Sequence, residues 1–197
     1  MVDITHFDIQ IERIDDIPVV YGHLQKMGIQ MVVDSVITPH GNWQGLTLGW
    51  VITIWLVHII TQHNHRMDCV QEWVEDRLSL LQRLTGQPIT PLDFTDDRLA
   101  LCLRDLSANN RWYPIEKQLG KHLIRVYNLN KEGLLPQIAR LDATTAIVNH
   151  DPHNATLFKV GKAKNGLYAT LFKMMIASLD PLGIPIAVDV VPGNRAD

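Results

Sequence analysis

Gln137-Ile138-Ala139-Arg140-Leu141-Asp142-Ala143-Thr144-Thr145-Ala146-Ile147-Val148 is the stretch on which the fold turns. It reads as one extended strand with a single carboxylate in its middle. Aspartate is depleted from strand interiors because it does not suit a pleated, half-buried surface. A charge in that position needs a reward, and a metal ion bound through hard oxygen ligands is the usual one.

On the C-terminal side, Phe172 to Leu179 and Ile184 to Val191 flank Asp180-Pro181-Leu182-Gly183. Asp, Pro and Gly at the first, second and fourth positions suit a type I turn, so the flanks pair as an antiparallel hairpin. Pro185 lacks an amide donor and belongs near a strand start or facing an edge. Together with the Asp142 strand this gives three consecutive antiparallel strands. On the N-terminal side the period is helical. Asp16-Ile17-Pro18 starts a helix that stops near Gly28, and a short one covers Gln30 to Ile37. An apolar helix follows from about Gln44 to Gln62, then one carrying Val70, Trp73, Val74, Leu81 and Leu84 at helical spacing. Thr95 caps a further helix whose first turn holds Asp96 and Asp97. Tyr113-Pro114 opens another, with Lys117, Lys121 and Arg125 outward. The fold class is therefore α+β, with five or six short helices in residues 1–130 and strands in residues 131–197, the boundary lying around Asn130-Lys131-Glu132-Gly133.

Composition narrows the class. Of 197 residues, 46% are hydrophobic and 20% charged, which excludes wholesale disorder. Cys69 and Cys102 sit among apolar helical residues and read as buried small hydrophobes, with no disulfide framework. The N-terminus shows no basic region followed by an apolar stretch, so a cytoplasmic location is expected. Leu46 to Ile60 is almost wholly apolar but only 15 residues long. A bilayer span needs roughly 20, so this is a buried core helix and no membrane association is expected. Residues 1–110 carry 7 Lys/Arg against 14 Asp/Glu, while residues 111–197 carry 11 against 7. The second part is the one suited to a polyanion. His58, His63 and His65 lack acidic or cysteine partners at the spacing of a zinc site.

Leu141-Asp142-Ala143-Thr144-Thr145, the Gly161-Lys162-Ala163-Lys164 turn, and Leu179 to Pro185 followed by Pro192-Gly193-Asn194-Arg195-Ala196-Asp197 together carry a resemblance. The chain resembles the insertion-sequence transposases of the Asp-Asp-Glu class, from about Ile11 to its last residue. The resemblance implies a ribonuclease-H-like catalytic domain preceded by a helical domain of unknown function. In such enzymes three carboxylates hold two Mg²⁺ ions roughly 3.5–4 Å apart at a phosphodiester. Asp142 matches the first carboxylate, both catalytic and metal-ligating; the others are expected beyond Asp197. The chain then reads as truncated and catalytically incomplete, with weak or absent Mg²⁺ binding. DNA, as transposon ends, is the implied partner, and a homodimer is possible for the helical part. Lys159, Lys162, Lys164 and Lys173 are candidates for phosphate contact, although Ala163, Leu167, Tyr168, Ala169 and Thr170 depart from the polar residues of the family there. Asp189 reads as solvated, and Asp197 as the exit of the third strand. Two other readings stand beside this one: a helical DNA-binding or dimerisation module, and a nonfunctional remnant whose meander leaves an edge and a face unprotected.

Overall fold

A computed structural model describes residues 11–129, 138–180 and 182–195. The chain groups into two compact units, Met1–Ile115 and Glu116–Asp197. The first contains α1 (Ile17–Lys26), α2 (Ile29–Val36), α3 (Leu48–Gln62), α4 (Val70–Glu75), α5 (Leu78–Thr85) and α6 (Asp96–Ser107). Short 3₁₀ turns occupy Met67–Cys69 and Pro91–Phe94. A seventh helix, α7 (Asn109–Val126), runs into the second unit.

The core of the first unit is α3. Apolar on every side, it is the kind of helix that must be surrounded. Leu48, Val51, Ile52, Ile54, Trp55 and Val57 are all buried, together with Thr53 and His58. Among the described residues no helix is long and apolar enough to cross a membrane.

The start of α3 is fixed by a residue on α2. A helix leaves its first amide donors without intrahelical partners. Here Asp34 Oδ1 accepts from Gly49 N at 2.7 Å, while its Oδ2 accepts from Thr47 Oγ1 at 2.6 Å and Gln30 Nε2 at 2.7 Å. The carboxylate also sits at the positive end of the helix dipole. Gly49 permits this closeness: a Cβ there would lie 2.4 Å from Gln30 O. The preceding loop is held by buried Asp93, which accepts from Leu46 N at 3.3 Å, Thr90 N at 2.9 Å and Thr90 Oγ1 at 2.8 Å. Arg98 donates to Gln44 O at 2.9 Å and lies 4.2 Å over the Trp43 ring. These bonds keep residues 43–46 out of the helix, which is why α3 begins later than its apolar pattern suggests.

Two further differences have local causes. The helix expected to run through Val70 and Leu84 breaks at Asp76 and Arg77 into α4 and α5. Arg77 turns inward there, donating to Trp73 O at 3.3 Å. Helix α7 begins at Asn109 rather than at Tyr113-Pro114, with Ala108 O accepting from Arg111 N and Trp112 N. Pro114 therefore lies inside the helix. It forfeits one bond near the helix start, where the loss costs least cooperative structure. Thr95 caps α6 as the sequence suggests, accepting from Arg98 N.

The second unit is an antiparallel sheet of β1 (Ala139–Ile147), β2 (Lys159–Lys162), β3 (Tyr168–Leu179) and β4 (Ile184–Pro192). Strand β1 pairs with one edge of β3, from Ala139↔Leu179 to Ile147↔Leu171. The other edge is shared: β2 pairs with Tyr168–Leu171 and β4 with Phe172–Leu179. The sheet thus has one strand more than expected, because Lys159–Lys162, read from sequence as part of a turn, is long enough to pair. Where β4 meets β2, Gly193 fits only because it lacks a side chain; a Cβ would lie 2.2 Å from Leu171 O. Pro185 sits opposite Ser178, where the register shifts.

From Glu116 onward α7 covers part of the free edge of β4. Glu116 Oε1 accepts from Val188 N, and a Cβ on Gly120 would lie 2.6 Å from Ile186 O. Covering an edge with a helix is a common way to protect it. The sheet faces are less covered: along β3 only Leu171 and Leu179 are buried. The α+β arrangement expected from the sequence, helices followed by an antiparallel sheet, is the one adopted.

Three helical glycines give a test of these close approaches. Gly22 on α1 has nothing within 4 Å of a Cβ, so Gly22→Ala should stabilise the chain by about 0.5–1 kcal/mol through helix propensity. Gly49→Ala and Gly120→Ala gain the same propensity yet should lower the urea midpoint. Stabilisation at either site would mean that α2 and α3, or α7 and β4, do not approach as closely as described.

Candidate functional site

Asp142 lies in the middle of β1, opposite Ile176 on β3, which is in turn opposite Val188 on β4. Directly opposed residues share a face. The aspartate therefore projects beside Thr144, Met174 and Ile176. Its side chain is 83% exposed, and Lys164 Nζ stands 3.4 Å from Oδ1. Lys164 N also donates to Thr145 Oγ1 at 3.2 Å, so the β2–β3 turn reaches back to β1. An exposed ion pair of this kind contributes little to stability.

The candidate lysines do not converge. Lys159 Nζ donates to Pro152 O at 3.1 Å, and Lys173 Nζ to Arg195 O at 2.6 Å. Both tie loops to the sheet. By register, Lys159 (opposite Leu171) and Lys173 (opposite Thr145 and Val191) project from the face opposite Asp142. Lys162, opposite Tyr168, shares the face of Asp142 and is exposed. Asp189 is exposed, opposite Met175 and so on the other face. Asp180 accepts from Arg140 Nε at 2.8 Å. Asp197 lies outside the described residues. Among the described residues no group of three His, Cys, Asp or Glu side chains is placed to hold a metal ion. The carboxylate of Asp142 has the hard oxygens Mg²⁺ prefers, but a single carboxylate does not make a metal site.

The sequence reading missed a pocket in the first unit. It has a volume of about 330 Å³, with His58, Gln62, Cys69, Glu72, Trp73 and Arg77 in its wall. His58 is only 2% exposed and meets the Trp73 ring edge-on at 5.2 Å. Arg77, 8% exposed, lies 5.3 Å over the same ring. His58 Nδ1, Trp73 Nε1 and Arg77 Nε are buried without hydrogen-bond partners among the described residues. Cys69, expected to be buried, is half-exposed at this wall, whereas Cys102 is buried and its thiol is pushed up to about 12, chiefly by burial. The pocket was hidden because the break between α4 and α5, which turns Arg77 inward, leaves no mark in the apolar periodicity.

Burial first, and the Arg77 guanidinium second, lower the pKa of His58 from its ordinary 6.5. The folded chain therefore keeps this imidazole neutral at a pH where the unfolded chain has protonated it. Its contribution to stability is constant above 6.5 and is lost as pH falls below that value. His58→Gln should flatten the acid-side loss of stability in urea titrations. Identical acid-side slopes in the two proteins would show that His58 is protonated in the fold.

Residues 9–112 match a family model described as a domain of unknown function (DUF4277). No curated protein and no solved structure matches the chain. The match takes in α1 to α6 and the pocket wall between α3 and α5. Since it spans just over half of the 197 residues, the chain belongs to the DUF4277 family.

Proposed function

We propose that this chain carries the helical domain and the opening strands of a ribonuclease-H-like catalytic domain of an Asp-Asp-Glu transposase. The activity is DNA transposition by metal-dependent phosphodiester hydrolysis and strand transfer. The observation that carries the reading is Asp142, an exposed carboxylate in the middle of a strand that pairs into an antiparallel sheet. A carboxylate there is poorly rewarded by the fold itself, since its cationic partner among the described residues, Lys164, is solvated. The consecutive pairing of β1 with β3 and of β3 with β4 supports the reading. So does the family match over the helical part, which fits the domain of unknown function that the resemblance places ahead of the catalytic one.

In the proposed enzyme Asp142, with carboxylates from elsewhere, would hold Mg²⁺, which would supply charge stabilisation at the oxygens of a phosphodiester. Asp142 supplies the first carboxylate, and Lys164 must yield its place beside Oδ1. Lys162, exposed on the same face, is the candidate lysine best placed for phosphate contact. Lys159 and Lys173 serve the sheet instead. The described residues furnish one ligand, so the chain by itself should bind DNA without cutting it.

A gel shift of duplex DNA by the purified chain, weakening steeply with salt, is expected alongside supercoiled plasmid left intact in Mg²⁺. No shift at low salt would sink the DNA reading. Plasmid nicking that disappears in Asp142→Asn would overturn the requirement for further carboxylates.

A further inference from the structure

Helix α7 presents a row of cations with no ion-pair partner among the described residues. Lys117, Lys121 and Arg125 are all exposed, spaced four residues apart. Such residues form one continuous ridge along a helix. The ridge lies on the side away from Leu123, which is buried, and Gly120, also buried, flanks it. Glu116 belongs to the buried side, where its carboxylate is taken by Val188 N. No Asp or Glu stands three or four residues from any of the three cations. No ion pair to them is found among the described residues; Arg125 Nη2 has only His122 Nδ1, at 3.1 Å.

This arrangement has a local cost. Like charges four residues apart destabilise a helix by about 0.2–0.5 kcal/mol per pair, and the row contains two such pairs. Arg125 recovers part of that at the helix C-terminus, where a cation suits the dipole. Lys117 and Lys121 stand in mid-helix and recover nothing there. The helix itself is held firmly, with Gly120 in backbone contact with β4 and Glu116 bonded to it. The three charges are thus displayed from a fixed support over about 12 Å. That is the axial length of roughly three to four phosphates on one strand of a duplex.

We infer that the Lys117–Lys121–Arg125 ridge is a docking surface for the phosphate backbone of duplex DNA, contacting it without reading base sequence. The inference rests on the DNA-binding reading above and adds where the backbone is held. It shifts the main contact from the β2–β3 lysines, two of which are tied to carbonyls, to a helix.

The test is the salt dependence of binding, using the full chain and a mixed-sequence duplex. Each phosphate contact contributes about 0.9 to the slope of log affinity against log salt. The triple variant Lys117→Gln, Lys121→Gln, Arg125→Gln should therefore lose about 2.7 from that slope. Its binding should weaken to a similar extent on duplexes of unrelated sequence. Arg104→Gln, which removes one exposed cation from α6, should leave the slope unchanged. Circular dichroism melts confirm that the variants fold. A wild-type chain that shifts DNA alongside a triple variant of equal slope overturns the ridge and leaves the DNA reading standing. No wild-type shift at low salt overturns both.

Discussion

Every strand of the second unit hydrogen-bonds to β3. Its one edge takes β1 in full, and its other edge is divided between β2 and β4. The position of each side chain on that sheet therefore follows from a residue of β3. Ile176 sets the place of Asp142, Tyr168 that of Lys162, and Leu171 that of Lys159. Because side chains alternate across a strand, a shift of one residue in β3 would send Asp142 to the opposite face. The candidate chemistry of the sheet depends on this one register.

The first unit is organised on a different principle. An all-round apolar helix supplies the core, and carboxylates from elsewhere in the chain fix its start and the loop before it. Asp34 and Asp93 each accept three hydrogen bonds. Part of the acidic excess of residues 1–110 is thus structural, spent on backbone amides and hydroxyls rather than on a partner. The cations of the C-terminal part divide in a similar way. Lys159 and Lys173 are committed to loop carbonyls, while Lys117, Lys121 and Arg125 of α7 remain outward.

What could be read from the sequence was whatever periodicity and turn chemistry encode locally. The Asp142 strand, the hairpin around Gly183, the Thr95 cap and the buried apolar helix lie close to where those patterns put them. The strand β2 was missed because four residues hold too little alternation to stand out from a turn. The split between α4 and α5 was missed because Arg77 is pulled inward by Trp73, a tertiary contact with no periodic trace. Pro114 misled for a related reason: proline favours helix starts, yet packing beyond it lets α7 begin a turn earlier. For the site, residue types pointed to Asp142, but the faces taken by the lysines follow from pairing partners that lie far along the chain. The pocket around His58 is walled by α3, α4 and the segments flanking α4, and could not be seen one helix at a time.

The seam at Gly193 also bears on how β4 is measured out. Its first residue is fixed by the short connection from Leu179, and its last is stopped where β2 already occupies the neighbouring stretch of β3. A strand clamped at both limits cannot slide to find its best fit. Any mismatch in length must be absorbed between them, and the irregularity beside Ala177 and Ser178 is where that slack resides. Pro185, which has no amide to lose, stands at the one point of the ladder where a missing donor does least harm.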